Sequence, residues 1–268
     1  MLGASLVGAY AMATAREHRH QAIRQLPFPS AWEKILVANV KHYNWLPPHL
    51  QKELQGHIQV FLAEKSFEGC GGLEVTEEMK VTIAALACLL LLNRRTSLYK
   101  KLDCILVYPR AYVVEGARDG GGAVSEQAQG RLGESWDGGT VVLSWNDVTR
   151  SAHNIRDGKN LVLHEFAHQL DQEDGRGDGV PIFEQESKYT TWAEVLRPEY
   201  EQLRKRSARG KRSVMDNYGA TNPAEFFAVA TETFFEKPEQ LQLKHPLLYR
   251  ELADYYKLDP LGWGKPPN

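Results

Sequence analysis

Apolar positions fall into helical periods along most of this chain. Leu50, Leu54, His57, Ile58, Phe61 and Leu62 recur at helical spacing and predict one amphipathic helix. The run VTIAALACLLLLN, Val81 to Asn93, is apolar throughout. It predicts a central buried helix, too short to cross a bilayer. Thr76 is its expected cap, with acidic residues in the first turn. DCILVYPRAYVV and TVVLSWNDV (Thr140 to Val148) are rich in β-branched and aromatic residues and predict strands. Helix resumes from about Glu184 to Arg206, and again at Asn222, a cap followed by Pro223 in the first turn.

Polar and Gly-rich stretches punctuate these elements. ARDGGGAVSEQAQG predicts a loop, and no GK[ST] follows to make it a phosphate cradle. DQEDGRGDGVP predicts an exposed acidic loop without the glutamate that closes a calcium site. ARGKRS predicts a basic solvated loop. Residues 1–26 look like an appendage, a helical or frayed terminus, disordered or a short anchor, and 27–268 like a single domain. The apolar start of that appendage is shorter than the roughly 20 residues a membrane helix needs and lacks the basic lead of a secretory signal. A cytoplasmic protein is therefore expected. Association with a membrane through the N-terminal apolar segment is the alternative.

Composition narrows the function without naming it. The 268 residues are 43% hydrophobic and 25% charged, an ordinary globular mixture. A net charge of -2 gives no global basic field, so direct nucleic-acid binding is not expected. Cys70, Cys88 and Cys104 are odd in number and lack CxxC spacing, which argues for reduced thiols rather than disulfides or a cysteine metal site.

The chemistry concentrates in LVLHEFAHQLD, Leu161 to Asp171. Residues i and i+4 of a helix stand one above the other, so His164 and His168 can reach one metal ion. Glu165, about 100° round the helix, can meet a metal-bound water without occupying the metal. Together they form HExxH, in an apolar setting where an unpartnered polar group would be costly. Asp171, three residues past His168, is placed to accept a hydrogen bond from a ligand imidazole. Catalytic zinc usually takes three protein ligands, so a third is sought on another apolar helix. Glu225 sits among Phe226, Phe227 and Ala228 near a helix start and is the expected ligand. Glu232, two turns on along the same face, is expected to support a ligand. Tyr218 precedes Glu225 on the loop that opens the helix, where its phenol can face the cleft.

HEFAHQLD followed by DNYGATNPAEFFAVATETFF resembles the Mlc titration factor A family of zinc peptidases, whose metallopeptidase domain is similar to that of anthrax lethal factor. The likeness runs from about Ala31 to Trp263. It implies one zinc ion bound by His164, His168 and Glu225, with Glu165 as base and Tyr218 assisting. It also implies aminopeptidase-type activity on short peptides and binding of a transcriptional repressor of sugar uptake. The fold expected is α+β and zincin-like, a mostly helical domain with a small sheet. Glu165 would take a proton from a zinc-activated water, with the zinc and Tyr218 stabilising the oxyanion. The rival reading is a protein that sequesters a regulator, with a weakly active or structural zinc site. Hydrolysis of a non-peptide amide is a third.

Overall fold

A computed structural model describes residues 14–94, 98–110 and 139–264. Helices dominate it. In chain order they are α1 (14–24), α2 (Ser30–Asn39), α3 (Lys41–Trp45), α4 (Pro48–Glu64), α5 (Glu77–Leu89), α6 (Trp145–His153), α7 (Leu161–Asp171), α8 (Ser187–Ser207), α9 (Pro223–Glu236), α10 (Pro238–Lys244) and α11 (Pro246–Tyr256). Three short strands, β1 (Ser66–Gly69), β2 (Cys104–Tyr108) and β3 (Thr140–Ser144), pair in that order, all parallel.

The apolar run beginning at Val81 is the centre of the core, as its pattern predicts. Thr76 caps α5, its Oγ1 accepting from the Met79 amide at 3.2 Å. Val81 and the residues from Ile83 to Leu92 are all essentially inaccessible to solvent. α5 packs on α4, α2 and α7 and supplies the crossover that parallel strands require between β1 and β2. The three cysteines are free, with Cys88 inside this core.

Three expectations change. The strand expected over Thr140 to Val148 stops at Ser144, whose Oγ accepts from the Asp147 amide and starts α6. A serine cap with an aspartate in the first turn outweighs the β propensity of Trp145 and Val148. DCILVYPRAYVV forms a strand only to Tyr108, and its residues 111–114 lie outside the described residues, as does ARDGGGAVSEQAQG. Residues 14–24, expected within an appendage, are helical and tied to α4. Arg16 Nη2 and His20 Nε2 each lie 2.6 Å from the Glu64 carboxylate. Burial tends to raise that carboxyl, but the two partners hold it down at about 2. Among the described residues no helix is long and apolar enough to cross a membrane.

Candidate metal centre

Two capped helices build the centre. Asn160, fully buried, starts α7 with its Oδ1 accepting from the Leu163 amide at 3.1 Å. Asn222 does the same for α9, accepting from the Glu225 amide at 2.9 Å, with Pro223 in the first turn. α7 buries Val162, Leu163, Phe166, Ala167 and Leu170, and α9 buries Phe226, Phe227, Phe234 and Phe235. Each of these large side chains gains roughly 1.5–3 kcal/mol on burial. The two helices pack against each other along one seam.

At that seam the three expected ligands meet. His164 Nε2 lies 3.0 Å from Glu225 Oε2 and 3.2 Å from His168 Nε2, and His168 Nε2 lies 3.4 Å from Glu225 Oε2. A tetrahedral zinc ion, with ligands at roughly 2.0–2.1 Å, needs its donors about 3.3 Å apart. The triangle fits that requirement on all three sides. The donor set also fits, because two imidazole nitrogens turned toward one carboxylate oxygen at this range repel unless a cation or proton lies among them. Without an ion, a proton must do this work. Burial disfavours charge on His164, but Glu232 and Glu225 outweigh it and hold its pKa well above the ordinary imidazole range. Zinc binding would displace that proton.

Glu232 lies against His164. Its Oε1 lies 2.7 Å from His164 Nδ1, fixing the tautomer that leaves Nε2 free for a ligand bond. Its other oxygen accepts from the Asn160 amide. Glu236, one turn further along α9, was not singled out by sequence. It accepts from Asn160 Nδ2 and from the Lys159 amide, both at 3.0 Å. The signal was present, since Glu225, Glu232 and Glu236 are seven and four apart on one face of α9.

Asp171 does a different job from the one its spacing suggested. Its Oδ2 accepts from the Gly179 amide at 2.9 Å, and its buried Oδ1 has no hydrogen-bond partner among the described residues. It therefore ties down the acidic loop rather than a ligand imidazole. Gly179 has φ +80, and a Cβ there would meet the Pro223 carbonyl oxygen at 2.4 Å. Only glycine lets this loop sit against the start of α9, beside Glu225. Glu165 is buried and has no hydrogen-bond partner among the described residues. Burial raises its pKa, although both histidines pull the other way. The Tyr218 ring lies beside His164, with centroids 5.9 Å apart.

Glu236 makes the centre sensitive to pH. Burial pushes its carboxyl up to about 8, against its two hydrogen bonds. A carboxyl whose folded pKa is raised adds stability below its unfolded pKa and loses it as pH rises through the folded one. The melting temperature of the chain relative to Glu236→Gln should therefore fall between about pH 4.5 and 8. A pH-independent difference in thermal melts would remove this role.

The sequence matches a family described as glucose-regulated metallo-peptidase M90 over residues 14–257. The chain belongs to that family. The M90 match takes in α1 as well as both helices of the centre. A Synechocystis sp. protein is 42% identical over 91% of this chain and 89% of its own length. The Klebsiella pneumoniae protein named Mlc titration factor A is 34% identical over 86% of both chains. The Serratia proteamaculans protein of the same name is 35% identical over 81% of this chain and 84% of its own. The resemblance drawn from HEFAHQLD and the Glu225 helix therefore extends across nearly the whole chain.

Proposed function

We propose that this chain is a zinc-dependent, zincin-like peptidase that removes residues from the amino end of short peptides. One observation carries the reading. Three ligand atoms from His164, His168 and Glu225 lie within 4.8 Å of one another. Glu165, on the same helix, stays outside the hydrogen-bonded set. Zinc held by the three would supply a Lewis acid and lower the pKa of water toward neutrality. Glu165 accepts the proton of the attacking water and returns it to the leaving amine. Burial raises its pKa, which brings it nearer the operating pH of a general base. Glu232 keeps His164 in one tautomer, and the Tyr218 hydroxyl donates to the developing oxyanion. Among the described residues β3 pairs only with β2, so its other edge offers backbone groups to an extended substrate.

Tyr218→Phe tests the oxyanion role. It should fold, bind zinc and turn over roughly ten- to a thousandfold more slowly. The cap of α9 is Asn222, so loss of the phenol removes no helix cap. Normal kcat with a depressed melting temperature would return Tyr218 to a structural role.

The names of the relatives favour a second activity, binding of an Mlc-type repressor. In the strict form of this reading the chain only sequesters the repressor. Glu165 argues against that form, because a structural zinc site needs no base and normally closes its fourth position with a protein ligand. Calorimetry with purified repressor tests the binding. Equal affinity for the wild type and Glu165→Gln would separate it from catalysis, and no heat would remove it.

A further inference from the structure

A cavity of about 760 Å³ opens between α1, α4 and the turn after α5, sharing no residue with the metal centre. Cavities of this size suit small ligands. Its wall carries Arg24, Lys52, His57 and Arg94 against Glu17 and Glu53.

Arg94 is the anomaly. A guanidinium stays charged at any ordinary pH, and a half-buried one normally has a carboxylate beside it. Among the described residues Arg94 has no ion pair, and its Nη1 is buried without an acceptor. Its compensation is aromatic, with the guanidinium carbon 4.1 Å from the centroid of the Tyr255 ring. Arg24 is nearly as exposed to the same problem. Among the described residues its Nε is buried without an acceptor, and its one carboxylate contact is a long one of 3.5 Å to Glu17. Gly56 keeps it in position, because a Cβ there would press on Arg24 Cγ at 3.2 Å.

Neither carboxylate on the wall makes an ion pair with Arg94, and Glu17 reaches Arg24 only at 3.5 Å. Glu53 Oε1 accepts from the Asn93 amide at 2.8 Å and faces His57 Nε2 at 3.3 Å. The wall thus has more donors than acceptors, on side chains from two helices and a turn. A water cannot neutralise the charge on Arg94, whereas an anion supplies both charge and lone pairs.

We infer that this cavity binds a compact oxyanion, the carboxylate or phosphate group of a small ligand. Arg94 and Arg24 are its principal donors, and Lys52 stands at the rim. The inference does not depend on the peptidase reading.

The full chain is titrated by calorimetry with inorganic phosphate and, separately, with succinate, ionic strength being held constant with sodium chloride. Saturable binding of either anion at one per chain is expected, and which of them binds tells phosphate from carboxylate. Lys52→Glu, at an exposed position, should weaken it by roughly tenfold or more. Arg94→Gln should abolish it while the circular dichroism spectrum is kept. Should Arg94→Gln fail to fold, Lys52→Glu decides. The inference is overturned if neither anion gives saturable heat beyond the chloride control, or if Lys52→Glu binds as tightly as the wild type.

Discussion

Glu165→Gln should keep its zinc and lose at least about a hundredfold in turnover, within or above the usual contribution of a general base. The amide has the size of the carboxylate but cannot take a proton. The side chain has no hydrogen-bond partner among the described residues, and its atoms are not among the three that converge. The substitution therefore leaves the donor triangle and its supports alone. It also removes a buried carboxyl whose pKa burial raises, so the protein should be no less stable at neutral pH. The measurement is kcat of the variant with one equivalent of zinc verified by elemental analysis. Near wild-type turnover at full zinc occupancy would sink the mechanism.

Glu225→Ala should abolish stoichiometric zinc binding, and with it all turnover. The loss goes beyond one ligand. Glu225 is the anionic donor of the three, and burial tends to raise its carboxyl, but His164 and His168 hold it well below the usual carboxylate range. Removing it leaves two imidazoles facing each other at 3.2 Å with no charge between them. Glu232→Ala provides the contrast. It leaves the triangle but frees His164 Nδ1 and the Asn160 amide, so zinc affinity should fall by roughly ten- to a hundredfold rather than vanish. Zinc retained by Glu225→Ala but lost from Glu232→Ala would reverse the assignment of the two glutamates.

Much of this architecture was legible in the sequence, for specific reasons. Thr76, Asn160 and Asn222 are capping residue types placed at the start of apolar runs, and each accepts an amide hydrogen bond there. The His164 and His168 spacing fixes their shared face, and Glu225 stands out because its neighbours on α9 are phenylalanines. What stayed hidden depends on long-range contacts. Glu236 reads as an ordinary glutamate at a helix end, ahead of Lys237 and Pro238, and its partners at Lys159 and Asn160 are far away in sequence. Asp171 has the spacing to reach an imidazole, but the glycines after it fold the loop back and give its carboxylate the Gly179 amide instead. α1 looked like an appendage because its first turns are polar. Arg16 and His20 are four apart on one face, and only the position of Glu64 on α4 gives that spacing its meaning.

The central claim is that a single zinc ion at this centre drives peptide hydrolysis. It is tested most directly by stripping the purified chain with a chelator and titrating zinc back while hydrolysis of unblocked aminoacyl and peptide substrates is followed. Activity should vanish with the metal, return in proportion to added zinc and level off at one equivalent per chain. Hydrolysis that survives complete removal of the metal, or fails to return at one equivalent in a chain that has bound it, would contradict the account.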